Sequence, residues 1–574
     1  MKQNSREKRE AWAQFDSLQM GSGWDHHDVK KPQILIEDVY GDSHPGSVHL
    51  NALCEQARIG VYERGGAPGG FHVTDVCDGC AQGHDGMNVI LASREAIADM
   101  VEIHTRVYCW DGIVMSSSCD KSVPAHLKAA ARMDLPTIFI PGGSMRPGPW
   151  MQTSLQAGTI TLRRQRGEEV SEQERLDITM TGCPSVGACA FLGTASTMQC
   201  MAEALGLALP GTAVAPATMR DISAMAREAG RKIVELCEKD ITASKILTRE
   251  AFINAIIVHS AIGGSTNAFL HLPSIARELG IILEPELFDE INSVTPHLAD
   301  VYPSGKHLTE AFYFAGGIPR VQWLLRDRLN LDVMTATGKT LGENLEELWR
   351  TNFFHRNEGY LANYGLTWEE VICPPEKAET TGSVAVLHGN IAPDGAVLKY
   401  SAMNKDLMHH VGTARVFNSE EDAYRAVADK RINPDDVVII RYEGPRGTGM
   451  PEMYITMDAI VRDERLNGTV SLVTDGRFSG GSRGAAIGHV SPEAASGGPI
   501  AFVHEGDLIE FDVENRSLNI VGLEGKPCTP EEAATEIERR RAAEGIIPRP
   551  PRRGIFKRFT ESALSAMQGG GFES

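Results

Sequence analysis

The stretch WDGIVMSSSCDKSVPAHLKAAARMDLPTIFI, residues 110–140, decides the fold class. Two short apolar runs, Trp110–Met115 and Leu135–Ile140, flank a segment with helical spacing, Ala125–Met133. The order strand, helix, strand is typical of a parallel β-sheet with helices packed on it. This half of the chain is therefore predicted to have an α/β fold.

The chain changes character near residue 373. Its 574 residues exceed the usual size of one domain, and the segment CPPEKAETTG (373–382) has the composition of a linker. The sequence that follows is richer in strand patterns and tight turns. We predict an α/β domain over residues 1–375 and a β-rich, barrel-like domain over residues 376–574.

Individual elements can be predicted in both halves. A Ser or Thr that can cap a helix precedes helical spacing at Ser93, Thr248 and Thr529. Thr529 is followed by Pro530 and by Glu532, the pattern of a capping box, with a helix to about Ala543. The strand candidates of the second half, the last two joined by a hairpin turn HEGD (504–507), are Val384–His388, Val437–Tyr442, Val470–Thr474, Ile500–Val503 and Leu508–Val513.

Composition excludes several classes of protein. With 56 Lys and Arg against 76 Asp and Glu, the formal charge is −20, which disfavours nucleic-acid binding. No apolar run approaches the roughly 18–20 residues that a membrane-spanning helix needs. The 11 cysteines are too sparse for a disulfide scaffold in a chain of this length. A cytoplasmic protein with free thiols and no membrane partner is expected.

Four loops concentrate residues that can bind metals or carry out catalysis. They contain Cys54, the pair Cys77 and Cys80, the triplet Cys119–Lys121, and the segment Cys183–Cys189. The third follows a predicted strand of the parallel sheet, where α/β proteins usually bind ligands. The pair Cys77-x-x-Cys80 is compatible with zinc or with a redox-active dithiol, but no second such pair lies at zinc-ribbon spacing. Taken singly, each cysteine is better explained as a small buried residue.

Longer motifs resemble a known family. The segments CDGCAQGHDGM (77–87), SSCDKSVPAHLKAA (117–130), CPSVGAC (183–189), AIGGSTNAFLHL (261–272), RYEGPRGTGMPEM (441–453) and VTDGRFSGGSRG (473–484) resemble the dihydroxy-acid and sugar-acid dehydratases, the IlvD/Edd family. The resemblance runs from about residue 35 to residue 570. It implies a hydro-lyase that converts a 2,3-dihydroxy acid to a 2-keto-3-deoxy acid.

The resemblance also implies two cofactors. Cys54, Cys119 and Cys189 match the positions of iron–sulfur ligands, with a [2Fe–2S] cluster favoured over [4Fe–4S]. Three protein ligands leave one iron open to a substrate hydroxyl. The residues that match the family's Mg²⁺ ligands are Asp78, Asp120, Glu452 and Lys121, the last as a carbamate. Ser479 matches the proposed base that removes the C2 proton.

The sequence also bears on the substrate, the class of protein and the oligomeric state. Pro124-Ala125 and the aromatic Trp150 favour a sugar acid, with the branched-chain dihydroxy acid of amino-acid biosynthesis as the alternative. An electron carrier is disfavoured because Cys54, Cys119 and Cys189 are far apart in sequence. A purely structural protein is disfavoured because so many of the family's site residues are present. Members of the family are dimers or dimers of dimers, which implies a homodimer or homotetramer.

Overall fold

The first half of the chain is built on a small parallel sheet. A computed structural model describes residues 4–165, 167–378 and 380–573. The sheet has the order β2-β1-β3-β4, all parallel, with the strands β1 (Gln33–Asp38), β2 (Ala67–His72), β3 (Gly112–Ser117) and β4 (Thr137–Pro141). Every residue of β1, β3 and β4 is buried. Buried parallel strands of this kind require helices on both faces of the sheet.

Helices make up most of this half. In chain order they are α1 (Asn4–Ala11), α2 (Gln14–Gly21), α3 (Leu50–Glu63), α4 (Asp78–Ala81), α5 (Ile90–Tyr108), α6 (Ser122–Met133), α7 (Ser154–Gln165), α8 (Glu172–Thr181), α9 (Thr194–Ala204), α10 (Arg220–Lys239), α11 (Ala243–Ile246), α12 (Arg249–Ile262), α13 (Ala268–Arg277), α14 (Pro285–Val294), α15 (Thr309–Phe314), α16 (Gly317–Leu324), α17 (Leu341–Arg350), α18 (Phe353–Leu361) and α19 (Trp368–Val371). Helix α3 packs on β1, α10 on β3 and β4, and α6 on β3 and β4. Among the helices of the described ranges, none combines the length and the apolar character needed to cross a bilayer.

The second half is organised around a mixed sheet with the order β13-β12-β11-β7-β8-β9-β10-β6-β5. Its strands are β5 (Ala385–Leu387), β6 (Gly395–Leu398), β7 (His409–Phe417), β8 (Asp436–Ile440), β9 (Ser471–Thr474), β10 (Ala485–Ser491), β11 (Leu508–Asp512), β12 (Ser517–Leu523) and β13 (Lys526–Pro527). Its helices are α20 (Glu420–Ala428), α21 (Pro445–Thr448), α22 (Tyr454–Arg462), α23 (Pro530–Glu544) and α24 (Gly554–Ser562).

This second sheet curls so far that its two ends approach each other. His388, just after β5, forms an isolated bridge with Ser517 at the start of β12. The His388 N–H donates to Arg516 O at 2.9 Å, and the Leu518 N–H donates to His388 O at 2.8 Å. The result is an open half-barrel, so the predicted fold class, an α/β half followed by a barrel-like half, is confirmed.

Two predicted helix starts are confirmed and a third is displaced. Thr248 caps α12 by accepting from the Ala251 N–H, and Thr529 opens α23 with the predicted capping box. Helix α5 begins at Ile90, ahead of the predicted cap at Ser93. The Ser93 hydroxyl lies inside the helix and donates to Ile90 O at 2.6 Å, because a short hydroxyl side chain can also bond back to its own preceding turn.

One predicted strand is wrong. Residues 500–502 belong to a 3₁₀ helix, Pro499–Phe502, and Val503 follows its end, so the turn HEGD does not join two strands of a hairpin. Proline at the first position fixes φ and lacks the N–H that a strand would donate, which favours a helical turn at this point. The run is apolar because all four residues of the 3₁₀ helix are buried.

Helices α3 and α10 touch through their backbones. A Cβ atom added to Gly60 would lie 2.0 Å from the Arg227 carbonyl oxygen, and one added to Gly230 would lie 2.0 Å from the Ala57 carbonyl oxygen. Each helix therefore uses a glycine where the other's backbone comes closest. This contact fixes the position of α3, which packs against the parallel sheet.

We expect Gly60→Ala to lower the free energy of unfolding by about 1–3 kcal/mol, because the new methyl group would force α3 and α10 apart. Gly359→Ala is the matched control: Gly359 also lies in a helix, but an added Cβ would meet nothing within 4 Å. There alanine should stabilise the protein by about 0.5–1 kcal/mol. Urea unfolding followed by circular dichroism measures both. A Gly60→Ala protein as stable as the parent would contradict the close helix contact.

Candidate active site

The candidate site lies at the carboxyl ends of the parallel strands. The loop Cys119-Asp120-Lys121 follows β3, and Asp78 begins α4 after β2. His44 lies in the segment after β1. Parallel strands place their carboxyl ends at one edge of the sheet, so three separate loops converge there. The structure therefore brings the residues of these loops to one edge of the sheet.

Three carboxylates meet at this edge. One oxygen from each of Asp78, Asp120 and Glu452 lies within 4.8 Å of the others. Glu452 comes from the second half of the chain, where a β-bridge joins it to Arg477. Burial raises the pKa of Asp120 well above its usual range, and the nearby charge of Asp78 raises it further. Burial also raises the pKa of Glu452. Such crowding of buried negative charge is unfavourable unless cations compensate it.

Two buried cations compensate part of this charge. Lys121 Nζ lies 3.0 Å from Asp78 Oδ2, and Arg477 Nη2 lies 3.2 Å from the same oxygen. Arg477 Nη1 is 2.5 Å from Glu452 Oε1. Burial alone raises the pKa of Asp78, but the ion pairs with Lys121 and Arg477 outweigh it and lower that pKa overall. With all three carboxylates ionised, two cations would leave one negative charge uncompensated, in keeping with the raised pKa of Asp120.

The cluster of three carboxylates, hereafter the carboxylate group, suits a hard divalent cation. The other oxygen of Asp78, Oδ1, is buried and has no hydrogen-bond partner within the described part of the chain. A buried oxygen without a partner is costly, and a cation would satisfy it. Carboxylate oxygens are the ligands that Mg²⁺ prefers. Asp78, Asp120 and Glu452 could therefore hold such an ion, with Lys121 beside them.

A second group of donors is made of sulfur and nitrogen. Single ligand atoms of His44, Cys77 and Cys119 lie within 4.8 Å of one another, and His44 Nδ1 is 3.7 Å from Cys119 Sγ. The Cys119 thiol forms a hydrogen bond to Cys77, which lowers the pKa of Cys77 to about 6 and raises that of Cys119. Cys189 is close enough for the charges of Cys77 and Asp120 to raise its pKa, after the larger effect of burial. Soft thiolate donors of this kind suit an iron–sulfur cluster or another soft metal.

The structure places Cys54 outside both groups. Cys54 lies in α3, and its buried thiol donates to Asp38 at the end of β1. Burial raises its pKa well above the usual value, and Asp38 adds to that effect. Cys119 is thus brought together with Cys77, and Cys189 lies near enough to feel the charge of Cys77, whereas Cys54 is held in a separate contact.

Ser479 lies in a tight loop between β9 and β10 that packs against the first half of the chain. A Cβ atom on Gly480 would lie 2.4 Å from the Thr194 backbone nitrogen, so only glycine allows this approach. The Asn267 side chain donates to Phe478 O at 3.0 Å and to Thr194 Oγ1 at 2.8 Å, which joins the loop to the start of α9. The Gly481 N–H donates to Ser479 Oγ at 3.3 Å.

Four residues near the site were not assigned a role there from sequence: Cys77, which was considered only as a zinc or redox partner of Cys80, and Arg477, Gln82 and His44. Cys77 directly precedes Asp78 in the motif CDG, and that adjacency was the available signal. Arg477 is part of the motif DGRFSG, but its ion pairs with Asp78 and Glu452 depend on tertiary structure. Gln82 donates to Glu452 Oε2 at 2.8 Å, and His44 Nε2 lies 3.6 Å from Asp75 Oδ2. No local sequence pattern identifies Gln82 or His44.

Comparisons with known proteins identify the family of this chain. The family model described as dihydroxy-acid/6-phosphogluconate dehydratase N-terminal matches residues 31–344, and the corresponding C-terminal model matches residues 370–570. A protein of Methanosarcina acetivorans named dihydroxy-acid dehydratase 1 is 41% identical over 96% of this chain and 97% of its own length. A dihydroxy-acid dehydratase of Halothermothrix orenii is 44% identical over 88% of this chain and 90% of its own length.

These matches extend over both halves of the chain and include every loop of the candidate site. The Ignicoccus hospitalis protein named dihydroxy-acid dehydratase is similar to an equal degree, with 41% identity over 98% of each chain. The resemblance seen in the short motifs is therefore a relationship along the whole sequence. The chain belongs to the dihydroxy-acid/6-phosphogluconate dehydratase family, and it is a hydro-lyase.

Proposed function

We propose that this chain dehydrates a branched-chain 2,3-dihydroxy carboxylic acid to the corresponding 2-keto acid. The observation that supports a metal-assisted dehydration is that the carboxylate group and the sulfur group meet at one edge of the sheet. The names of the relatives support the choice of substrate, since those compared are dihydroxy-acid dehydratases. They favour the branched-chain alternative over the sugar acid that the sequence motifs suggested.

The structure gives little support to the sugar acid at two positions: His126, next to Pro124-Ala125, and Trp150. His126, in the segment that follows Lys121, lies fully buried in α6, beside Phe139, and neither of its ring nitrogens has a hydrogen-bond partner in the described part of the chain. Its position indicates a packing residue. Trp150 is 90% exposed at the surface. A sugar acid is therefore the second candidate, to be distinguished by assay.

The donor sets support specific roles for the two cofactors. We propose that Asp78, Asp120 and Glu452 hold Mg²⁺ and that Cys77, Cys119 and Cys189 hold the iron–sulfur cluster. Cys77 takes the place of Cys54 in this proposal because its thiol contacts Cys119, whereas Cys54 contacts Asp38. When bound, Mg²⁺ would acidify the C2 proton through the substrate carboxylate, and an iron with an open position would act as a Lewis acid toward the C3 hydroxyl.

The chain's own residues then account for the proton transfers. Ser479 is the proposed base that takes the proton from C2. The Gly481 N–H, which donates to Ser479 Oγ, stabilises negative charge on that oxygen. The proton that Ser479 takes from C2 is passed to the departing C3 hydroxyl, which leaves as water. The resulting enol loses its hydroxyl proton as it gains a proton at C3, which gives the 2-keto acid. Arg477 holds Asp78 and Glu452 in fixed orientations through its two ion pairs.

Several finer expectations stay predictions. They are the [2Fe–2S] form of the cluster, the carbamate on Lys121, the homodimer or homotetramer, and the cytoplasmic location. As an ammonium group, Lys121 would neutralise Asp78 across the 3.0 Å contact. As a carbamate it would instead supply a further anionic oxygen donor to the carboxylate group, so a bound cation would then be essential.

The substrate proposal predicts keto-acid formation from 2,3-dihydroxyisovalerate. Anaerobically purified holoenzyme would be assayed with this compound and with a panel of pentonates and hexonates, and each 2-keto acid would be measured. We expect kcat/KM to be highest for 2,3-dihydroxyisovalerate, because the relatives are named for dihydroxy acids. A higher kcat/KM for any aldonate would contradict the proposed substrate and favour the second candidate.

The base assignment predicts the behaviour of Ser479→Ala. Removing a general base typically lowers kcat by about 10²–10⁴-fold, and we expect a loss in this range. Iron and sulfide content should not change, since Ser479 contributes no ligand. Ser482→Ala, in the same loop, is the matched control and should retain most activity. Near-full activity of Ser479→Ala, or an equal loss in Ser482→Ala, would show that Ser479 is not the base.

A further inference from the structure

Cys80 is a thiol next to the sulfur group that the proposed reaction does not use. It lies in α4, three residues after Cys77, and its side chain is exposed. The Cys77 sulfur lies within 4.8 Å of the Cys119 sulfur, and the Cys80 thiol is near enough to Cys77 for each to shift the pKa of the other. One sulfur thus has a buried neighbour on one side and an exposed neighbour on the other.

The backbone between Cys77 and Cys80 has the geometry that a disulfide requires. The Cys80 N–H donates to Cys77 O at 3.1 Å, which closes a turn between the two residues. The ends of such a turn have Cα atoms less than about 7 Å apart. Disulfides span Cα distances of roughly 4.4–6.8 Å. Because the turn holds the two residues this close, side-chain rotation can bring their sulfurs together.

We propose that Cys77 and Cys80 form a reversible disulfide when the chain meets an oxidant of the peroxide or diazene class. The link withdraws Cys77 from the group of cluster ligands, so an oxidised chain cannot assemble a cluster until a dithiol reductant restores it. The disulfide itself follows from the geometry of the turn. Its effect on the cluster rests on the proposed function, in which Cys77 is a ligand.

The chemistry balances as a two-electron oxidation. The two thiols lose two protons and two electrons, and one S–S bond forms. Hydrogen peroxide that accepts them breaks its O–O bond and becomes two molecules of water, an organic hydroperoxide becomes an alcohol and water, and a diazene becomes a hydrazine. A dithiol reductant reverses the reaction by thiol–disulfide exchange, leaving both cysteines reduced and its own sulfurs joined.

Two other pairings compete with this one. Cys119 also contacts Cys77, but it is buried, so an oxidant in solvent reaches it less easily. Cys183 is exposed and its charge acts on Cys80, but it belongs to the loop after α8, with no turn linking it to Cys80. Cys80 alone combines exposure, proximity to Cys77 and a hydrogen-bonded turn. The exposed thiol therefore favours its own turn partner.

Peptide mapping tests the link directly. Anaerobic holoenzyme, and the same protein after iron removal by a chelator, would be treated with diamide, alkylated and digested for mass spectrometry. In the iron-free protein we expect the peptide containing Cys77 and Cys80 to lose two hydrogen atoms and to carry no alkyl label at either residue. Dithiothreitol should restore both labels. The bound cluster should suppress the link.

Cluster assembly then tests the consequence. After diamide treatment, wild-type protein supplied with ferrous iron and sulfide should lose most of the visible absorption that untreated protein regains, and dithiothreitol should restore it. Cys80→Ser should assemble the cluster equally well before and after diamide. Cys109→Ser is the matched control, because the Cys109 thiol contacts only backbone carbonyls at the end of α5, and it should behave as the wild type.

Distinct results would overturn the inference. A link mapped to Cys77 and Cys119 or to Cys80 and Cys183, the absence of any link, or equal loss of assembly in Cys80→Ser would each do so. Failure of every variant to assemble a cluster in the reduced state would instead contradict the proposed function. The mapped disulfide would still decide the inference in that case, because it is read without a cluster.

Discussion

The buried guanidinium of Arg477 forms the ion pairs on which the site depends. It contacts Asp78 from the first half of the chain and Glu452 from the second. Buried charges lose their hydration, and an ion pair repays that loss only when its geometry is good and its remaining polar atoms are satisfied. The carboxylates can therefore be held this close only when the half-barrel and the parallel sheet are correctly docked.

Docking of the two halves also brings the remaining groups to one place. The loop that carries Ser479 fits against the start of α9 only because Gly480 has no side chain. Asn267 connects the same loop to Thr194 by hydrogen bonds. In the first half, the parallel strands deliver Asp78 and Asp120 to a common edge. Catalytic loops on rigid strands and helices are held more precisely than free loops, which suits a reaction with two aligned bond cleavages.

Oxygen and sulfur donors are kept separate but adjacent within this site. Asp78 directly follows Cys77, and Asp120 directly follows Cys119, so two short segments supply one donor to each group. A hard cation and a soft metal centre can thus lie on either side of one substrate. Cys189, affected by the charges of both Asp120 and Cys77, lies close to both groups.

Much of the fold could be predicted because its signals are local. The strand–helix–strand pattern of residues 110–140 and the capping box at Thr529 depend on neighbours within a few residues, and both are confirmed. The strand predicted at Ile500–Val503 is wrong because apolar content was weighed above Pro499. The contacts of Arg477 could not be predicted, because they join positions far apart in sequence.

The candidate site was predicted in part. The resemblance identified Asp78, Asp120 and Glu452, which the structure brings together. The same resemblance assigned Cys54 to the cluster and did not assign Cys77. Only the tertiary contacts, to Asp38 in one case and to Cys119 in the other, separate the two cysteines.

Anomalous X-ray diffraction from crystals of the anaerobic holoenzyme, grown with Mn²⁺ in place of Mg²⁺, tests this assignment most directly. We predict an iron signal bounded by the sulfurs of Cys77, Cys119 and Cys189. A separate manganese signal should lie among the oxygens of Asp78, Asp120 and Glu452. Iron bound through the sulfur of Cys54, or no metal among the three carboxylates, would contradict the account.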